Sequence, residues 1–356
     1  MSSACEQYTA LFIVYARGTA HVATTLAFEQ PFHYHSGMHG LVTGGTNNFF
    51  TVECDDGITR LCSIKGKILT APTRSYNPLA PGDMVAVTAD PLDDGKGQIC
   101  ALRTRNNRCI RWNAKGRAPQ ILAANVDRLI VVTSPTSPPF RPRFVDRALV
   151  QAEYENIEPI IVCNKHDLPP PNDVYERMIA VWQSLGYTVL CVSAKTGAGL
   201  HKLAALLVGK RSVFIGQSGV GKSSLINALD PRAALRTGCL SEKWQRGSHT
   251  TTKGALFHIA IAGTHAAGTA RTADIIDTPG VRQFLLYGMS AQAVPLYFRE
   301  LEPLVGTCGF GLSCTHLTEP GCAVLAAVKN GVVSMERYES YLHIRDEMQT
   351  ESGKLR

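Results

Sequence analysis

The segment at 216–223, Gly-Gln-Ser-Gly-Val-Gly-Lys-Ser, constrains the fold of this chain more than any other feature. It follows an apolar run at 212–215 that is typical of a buried strand, and it precedes a run with helical spacing at 224–229. Glycines here let backbone N–H groups turn towards phosphate oxygens, and the following helix presents its positive N-terminus. We therefore predict a phosphate-binding loop, in which Lys222 reaches the β- and γ-phosphates and the Ser223 hydroxyl binds Mg²⁺. A chance glycine-rich turn is the alternative. The predicted phosphate contacts are Gly216, Gln217, Ser218, Gly219, Val220, Gly221, Lys222, Ser223 and Ser224.

Two short motifs that follow predicted strands identify the base. Asn-Lys-His-Asp at 164–167 follows the apolar run at 159–163. The carboxylate of Asp167 can accept hydrogen bonds from the N1–H and 2-amino groups of guanine, a pattern that adenine lacks. Ser-Ala-Lys follows the next predicted strand, where the N–H of Ala194 can meet guanine O6. Either motif alone could be an ordinary loop at a strand end, but with a phosphate loop they predict a guanine nucleotide. The predicted guanine contacts are Asn164, Lys165, His166, Asp167, Ser193, Ala194 and Lys195.

Two further segments belong to the same chemistry. Asp-Thr-Pro-Gly ends the predicted strand at 274–276, where Asp277 can hold Mg²⁺ through water and the N–H of Gly280 can sense the γ-phosphate. His-Thr-Thr-Thr at 249–252 lies in a stretch rich in Gly, Ser and Thr that suits a mobile switch. Its Thr251 is predicted to complete the magnesium shell. A β-edge or a plain loop is the alternative for the threonines.

The order of these motifs is unusual. Conventional GTPases carry the phosphate loop and switch first and the guanine motifs last, whereas here both guanine motifs precede the phosphate loop. A circular permutation of one sheet explains this order, because joining the old termini and opening new ones keeps spatial neighbours together. The short link at 207–211 is predicted to be the join.

The pattern of apolar residues changes along the chain. Five short β-like runs between 40 and 105 suggest a small barrel, with a β-sandwich as the alternative. From 120 to 283, strands and helices alternate, which predicts a parallel sheet covered on both faces, and the chain after 283 is mostly helical. We expect a poorly ordered extension at 1–37 (Met38 could be the true start), a barrel at 38–108, an α/β GTPase domain at 109–284 and a mostly α final domain at 285–356.

Positive charge is concentrated between the predicted barrel and the predicted sheet. Although the net charge is only +7, no acidic residue occurs between Asp94 and Asp127, where seven Lys or Arg residues fall. Cations without a counter-ion, beside a tryptophan that can stack on a base, predict contact with an RNA backbone. A solvated basic linker is the alternative. The RNA-binding candidates are Arg103, Arg105, Arg108, Arg111, Trp112, Lys115 and Arg117.

Hydropathy and cysteine usage favour a cytoplasmic protein. No stretch of the 356 residues approaches the roughly 20 apolar residues that cross a membrane. The short apolar run at 10–16 has no basic residue before it, so a signal peptide is not expected. Eight of the eleven cysteines stand singly, which suits thiols in a reducing compartment, and the other three lie near His316.

The motif order, the phosphate loop, the His-Thr-Thr-Thr segment and the late Cys/His cluster together resemble the RsgA family, also called YjeQ or EngC, over residues 40–350. Members of that family are circularly permuted GTPases that assist late maturation of the small ribosomal subunit. The resemblance implies an N-terminal OB-fold, a central permuted GTPase domain and a C-terminal zinc domain. It also implies slow GTP hydrolysis that the subunit stimulates, and contact with its ribosomal RNA.

The resemblance assigns one zinc ion to the late Cys/His cluster. The matching residues are Cys308, Cys314, His316 and Cys322. Three thiolates and an imidazole make a closed tetrahedral set of the structural kind. The spacing between the first two ligands, Cys308 and Cys314, is one residue longer than is usual in the family. The match therefore supports Cys308 less strongly than the other three ligands. A longer loop that contains Gly309 and Gly311 could accommodate the extra residue. Redox sensing by these thiols is the alternative.

The residue after the Asp-Thr-Pro-Gly motif bears on catalysis. Val281 stands where many GTPases carry a water-orienting Gln, and an apolar side chain cannot position water. Intrinsic turnover is therefore expected to be slow and to need another group. The resemblance points to the switch histidine, so His249 is the catalytic candidate, and the alternative is a switch residue that only touches RNA.

These observations predict a ribosome-assembly GTPase that uses Mg²⁺ and one Zn²⁺. Its expected partners are GTP and GDP, the small ribosomal subunit with its rRNA, and other assembly factors, and we expect a monomer that does not bind membranes. One alternative is an RNA-binding scaffold whose guanine-nucleotide site is structural. Another is a GTPase that delivers metal, suggested by the Cys/His cluster alone. Asp167 opposes an ATPase.

Overall fold

The computed structural model describes residues 38–46, 48–66, 75–233, 254–261, 271–280 and 284–354, with side chains up to residue 350. Its first five strands close into a barrel in the order β1-β2-β3-β5-β4, with β1 paired to β4. Only the β3–β5 pair is parallel. This is the arrangement of an OB-fold, so the predicted barrel is confirmed and the sandwich alternative is wrong. The strands are β1 Met38–Gly45, β2 Phe49–Cys54, β3 Thr59–Ile64, β4 Met84–Asp90 and β5 Asp93–Leu102.

A β-hairpin that the sequence does not predict follows the barrel. Its strands, β6 Arg108–Asn113 and β7 Ala118–Ala124, occupy the segment interpreted above as a basic junction. All residues of β7 are buried. The hairpin contacts the barrel closely: a Cβ at Gly82, where φ is +94°, would lie 2.1 Å from the carbonyl oxygen of Ala124. The junction is therefore an ordered element and not a solvated linker.

A six-stranded sheet forms the centre of the molecule, in the order β10-β9-β8-β11-β13-β12. Five of its strands are parallel, and the edge strand β12 runs antiparallel to β13. Short apolar, β-branched runs are typical of strands that are buried on both faces, which is why the sequence identified them. The strands are β8 Arg128–Thr133, β9 Glu158–Cys163, β10 Thr188–Cys191, β11 Arg211–Gly216, β12 Ala255–Ala260 and β13 Thr272–Asp277.

Helices cover both faces of this sheet. On one face, α1 Pro142–Tyr154 and α2 Val174–Ser184 bury apolar side chains against the sheet. On the other, α3 Leu200–Leu207 and α4 Lys222–Leu229 do the same. The predicted doubly covered α/β sheet is confirmed. Its carboxyl edge is where ligands bind in folds of this kind.

The chain after the sheet forms short 3₁₀ turns and two α-helices. The turns lie at Val294–Tyr297, Glu302–Leu304 and Gly311–Ser313, and the helices are α5 Ala323–Lys329 and α6 Met335–Lys354. Helices are thus present in the region that the sequence predicts to be mostly helical. The boundaries at 37/38, 108/109 and 284/285 stay predictions. No helix among the described residues has the length and apolar character needed to span a membrane.

Candidate nucleotide site and metal centre

Four of the predicted motifs lie at the carboxyl edge of the central sheet. Each one begins at or near the end of a parallel strand. The motif at 164–167 directly follows β9, and that at 193–195 begins two residues after the end of β10. The motifs at 216–223 and 277–280 begin at the last residues of β11 and β13. Because carboxyl ends of parallel strands meet at one edge, the permuted order still brings these loops to one place.

The phosphate loop has the backbone that its glycines require. Gly219 and Gly221 have φ values of +85° and +95°, which glycine adopts without strain, and α4 begins directly afterwards. The ammonium of Lys222 is buried and donates to the carbonyl oxygens of Gly216, at 3.1 Å, and Gln217, at 3.3 Å. Burial lowers the pKa of Lys222, and the carboxylate of Asp277 acts in the opposite direction. The loop thus holds a cation over a concave backbone, which suits an anion.

Hard oxygen donors gather beside this cation. The hydroxyl of Ser223 donates to Oδ2 of Asp277 at 3.2 Å. The other oxygen of Asp277, Oδ1, is buried and makes no hydrogen bond within the part of the chain that the structure describes. Burial raises the pKa of Asp277, which the charge of Lys222 and the bond from Ser223 oppose. An unpaired buried carboxylate oxygen next to a hydroxyl fits the ligand preference of Mg²⁺.

Gly280 lies against the phosphate loop. A Cβ at this position would be 2.7 Å from the Cα of Ser218 and 2.9 Å from its nitrogen, so only glycine permits the approach. The strand that carries Asp277 is held to its neighbour by Thr278, whose hydroxyl donates to the carbonyl of Phe214 at 2.7 Å. The 277–280 motif therefore sits where a γ-phosphate in the loop would be in contact.

Asn164 ties the guanine motifs to the phosphate loop. Its buried side chain donates through Nδ2 to the carbonyl of Val220 at 2.9 Å, and its Oδ1 accepts from the N–H of Ala194 at 3.1 Å. A Cβ at Gly221 would lie 2.3 Å from that Nδ2, so this glycine also makes room for the contact. The Ala194 N–H is thus engaged by Asn164, and its bond to guanine O6 stays a prediction.

Lys165 makes a second link across the same edge. Its ammonium donates to the carbonyl of Gly219 at 2.7 Å and to that of Ser137 at 2.5 Å. Its φ of +59° is unusual for a residue with a side chain and marks a strained turn. The stem of Lys165 therefore bridges the guanine motif and the phosphate loop.

Asp167 is exposed and presents an ionised carboxylate. The hydroxyl of Ser193 donates to its Oδ1 at 2.6 Å, and the N–H of Thr196 in turn donates to that hydroxyl at 3.1 Å. The bond from Ser193 holds the pKa of Asp167 below its usual range, and the charges of Lys195 and Lys165 act in the same direction. A charged, oriented carboxylate is what the recognition of guanine requires.

Some predicted residues fall outside the described residues. His249, the threonines at 250–252 and Val281 all lie in segments that the structure does not describe. The roles of His249 as catalytic group and of Thr251 as magnesium ligand stay predictions. Ser224 lies in the first turn of α4 and His166 is exposed beside Asp167.

The four predicted zinc ligands come together in the C-terminal region. Their ligand atoms all lie within 4.8 Å of one another, and all four residues are buried: Cys308, Cys314, His316 and Cys322. Nδ1 of His316 lies 3.5 Å from the sulfur of both Cys308 and Cys322. Backbone N–H groups donate to two of the sulfurs, from Ala323 to Cys308 and from Leu325 to Cys322. The longer spacing therefore does not exclude Cys308, and the set could hold a metal ion.

The expectation that the basic residues at 96–117 have no counter-ion is wrong. Arg105 makes a bidentate pair, at 2.6 and 2.8 Å, with Asp83, which is fully buried. Lys96 pairs with Asp93 at 2.9 Å, and Nε of Arg108 lies 3.5 Å from Glu155. These partners come from outside the acid-free stretch.

The other RNA-binding candidates differ in exposure. Arg111 is half-buried against Gln120, and Trp112 stacks on Tyr287 with ring centroids 6.0 Å apart, so neither presents its full side chain. Three of the seven candidates are exposed: Arg103, Lys115 and Arg117.

Comparison with known proteins agrees with this geometry. The RsgA GTPase family model matches residues 102–287. The chain is 38% identical over 318 residues to the small ribosomal subunit biogenesis GTPase RsgA of Chlorobaculum parvum, covering 87% of this chain and 98% of that protein. Its likeness to the protein of that name from Porphyromonas gingivalis is also 38%, over 317 residues, 88% of this chain and 98% of that one.

Two solved structures are similar over most of the chain. YjeQ from Thermotoga maritima is 30% identical, with a TM-score of 0.65, and the match covers 88% of this chain and 98% of that one. YloQ, described as a circularly permuted GTPase, is 26% identical, with a TM-score of 0.59 and a coverage of 90% and 98%. The permuted order inferred from the motifs therefore has a structural counterpart.

Proposed function

The chain belongs to the RsgA family of GTPases, and on that premise we propose that it hydrolyses GTP in a late step of small ribosomal subunit maturation. One contact carries the proposal. The side chain of Asn164 binds both the phosphate loop, at Val220, and the second guanine motif, at Ala194. One nucleotide can therefore meet the guanine reader and the phosphate cradle together.

We assign each step of nucleotide binding to residues of this chain. The carboxylate of Asp167 accepts from the guanine edge, and the loop amides and Lys222 hold the phosphates. Ser223, Thr251 and, through water, Asp277 would hold Mg²⁺. The ion would supply positive charge to offset the negative charge of the transferring phosphoryl group. The N–H of Gly280 donates a hydrogen bond to the γ-phosphate and thereby senses its presence.

Hydrolysis in this proposal is slow until the small subunit is bound. Val281 cannot orient water, because its side chain is apolar. His249 therefore assists hydrolysis in its place. The variant His249→Ala is expected to keep its affinity for GTP but to lose the turnover that the subunit stimulates. Full stimulated turnover in this variant would remove His249 from the mechanism.

The segment after Gly280 makes hydrogen bonds to the hairpin and to α1, and so connects the nucleotide site to other parts of the molecule. The N–H of Trp112, on β6, donates to the carbonyl of Leu285 at 3.0 Å, and Gln151 of α1 exchanges two hydrogen bonds with the backbone of Tyr287. A movement of the 277–280 motif would reach the hairpin and α1 through these bonds, and the C-terminal region along the chain that follows them. We propose that GTP sets the relative pose of the barrel and the zinc domain on rRNA, and that hydrolysis releases the protein.

The remaining assignments follow from the same premise. Cys308, Cys314, His316 and Cys322 hold one structural Zn²⁺, because a buried set of three thiolates and an imidazole leaves no open position. Arg103, Lys115 and Arg117 contact rRNA, since they are the exposed members of the seven RNA-binding candidates. The protein works in the cytoplasm as a monomer, together with other assembly factors.

The decisive experiment measures phosphate release from GTP with and without purified small subunits. We expect multiple turnovers that are slow alone and faster with the subunit, and no turnover at all would favour the RNA-binding scaffold. The variant Asp167→Asn is the matched control, because an amide in place of the carboxylate should shift preference from guanine to xanthine nucleotides. Unchanged preference for GTP would overturn the guanine assignment.

A further inference from the structure

Two cysteines that the nucleotide chemistry does not use lie directly beneath the guanine motifs. Cys163 is the last residue of β9 and Cys191 the last residue of β10, and they are partners in the register of these parallel strands. Cys163 belongs to the apolar cluster on the α1–α2 face of the sheet, and Cys191 contacts that same cluster. Both side chains therefore project from one face, side by side.

The spacing of the two cysteines suits a disulfide. Neighbouring strands lie about 4.8 Å apart, and disulfides join residues whose Cα atoms are about 4.4–6.8 Å apart. Both cysteines are free thiols in the structure. Because the two cysteines are register partners on one face of the sheet, a disulfide between them requires no shift of one strand along the other.

The environment makes the two thiols unequal. The neighbouring sulfur of Cys163 lowers the pKa of Cys191 to about 6, and the charge of His166 acts in the same direction. Cys163 is fully buried, and both the neighbouring sulfur of Cys191 and burial raise its pKa. Cys191 is partly exposed. An accessible thiolate beside a protonated partner is the arrangement of an attacking and a resolving thiol.

We propose that Cys163 and Cys191 form a reversible disulfide on exposure to peroxide, and that this bond weakens nucleotide binding. The Cys191 thiolate attacks the O–O bond of hydrogen peroxide, giving a sulfenic acid and hydroxide. The sulfur of Cys163 then attacks that of Cys191, and its proton leaves with the hydroxyl as water. Two equivalents of an external thiol reverse the step and are oxidised to their own disulfide.

The consequence rests on the proposed guanine site. Cys163 directly precedes Asn164, whose side chain joins the phosphate loop to the second guanine motif. Cys191 lies two residues before Ser193, whose hydroxyl orients the carboxylate of Asp167. Drawing the two strand ends together displaces these loops against each other. A displacement of these loops that weakens the hydrogen bonds between Asp167 and the guanine edge is expected to weaken nucleotide binding roughly tenfold.

The test treats the full chain with hydrogen peroxide and then blocks the remaining thiols with iodoacetamide. Mass spectrometry of the digest looks for a peptide that links 163 to 191, and titration with fluorescent GDP measures affinity before and after oxidation. We expect the linked peptide and roughly tenfold weaker GDP binding, both reversed by dithiothreitol. Cys191→Ser should lose both effects, whereas Cys100→Ser, which removes a partly buried cysteine of β5, should keep them.

Each result has a definite meaning. No linked peptide, or oxidation of Cys191 that dithiothreitol does not reverse, would overturn the disulfide. A linked peptide with unchanged GDP affinity would overturn the effect on binding. Failure of the proposed function is distinguishable, because the reduced protein would then not bind GDP, whereas the linked peptide does not depend on nucleotide.

Discussion

Two groups of charged residues connect the central sheet to its neighbours, and they differ in their exposure to water. On the C-terminal side, the guanidinium of Arg337 on α6 lies between Asp146 of α1 and Glu300, with all three side chains at most 5% exposed. On the barrel side, His258 of β12 joins Glu53 of β2 and Asp274 of β13, and its side chain is 46% exposed. Both groups have short contacts, from 2.6 to 2.7 Å.

This difference in burial decides what each group contributes. A buried pair that loses one partner leaves an uncompensated charge, which costs about 3–5 kcal/mol, whereas an exposed pair contributes about 0.2–1 kcal/mol. The C-terminal region should therefore stay fixed to α1 under all native conditions. The contact between β12 and the barrel is one that pH and salt can weaken.

The largest effect is expected on removal of Arg337. In Arg337→Met the carboxylates of Asp146 and Glu300 lose their partner inside the protein, and the ring of Phe298 loses the guanidinium 4.5 Å above it. The free energy of unfolding should fall by about 3–5 kcal/mol, measured by urea denaturation.

Arg345→Met is the matched control, because Arg345 is a partly buried arginine of the same helix. Its effect should stay within about 1 kcal/mol. If Arg337→Met and Arg345→Met lower the free energy of unfolding equally, burial of the Arg337 group does not make it more important for stability than an exposed charged group.

A smaller effect is expected at Trp182 of α2. Its Nε1–H donates to Oδ1 of Asp146 at 2.9 Å, and the hydroxyl of Ser340 donates to the other oxygen of the same carboxylate. In Trp182→Phe the aspartate keeps Arg337 and Ser340 but loses one charge-assisted bond, so we expect a loss of about 1.5–3 kcal/mol in urea denaturation. A loss equal to that of Arg337→Met would mean that packing, and not the hydrogen bond, dominates at this position.

Much of the nucleotide site could be predicted from the sequence because each motif is short and adjoins one strand. Lys222 and Ser223 follow a buried strand and open a helix, so local pattern fixes their place. The permuted order could be recognised from the same motifs, since the parallel sheet brings their loops to one edge whatever the order. The structure then adds what pairs of distant residues do, such as the bond from Asn164 to Val220.

Long-range charge pairs and the hairpin could not be predicted. Asp146 and Arg337 are 191 residues apart, and no periodicity connects them. The sequence predicts an unpaired Arg105 because its partner, the fully buried Asp83, lies 22 residues earlier and outside the acid-free stretch. In β6, Arg111 and Trp112 interrupt the apolar pattern that marks a strand, and the hydrogen bonds of this strand are made with β7 and Leu285.

The smallest effect concerns His258 and depends on pH. Burial lowers the pKa of His258, but hydrogen bonds and charges from Glu53 and Asp274 outweigh it, so the pKa lies above its ordinary value. Arg211, which pairs with Asp274 at 3.1 Å, is a cation at this group among the residues that the structure describes. Because the unfolded chain has a histidine pKa near 6.5, folding takes up a proton, and the stabilisation is complete below about pH 6.5.

This stabilisation is lost as the pH rises through the folded pKa, where the imidazole becomes neutral in both states. Glutamine keeps hydrogen bonding without the charge, so His258→Gln should destabilise the protein by less than about 1 kcal/mol at pH 6 and by less still at pH 8.5. Urea denaturation of both proteins at the two pH values measures the difference. A deficit that grows with pH would mean that His258 is held neutral by burial, and the barrel would then be attached by packing, as the C-terminal region is, and not by charge.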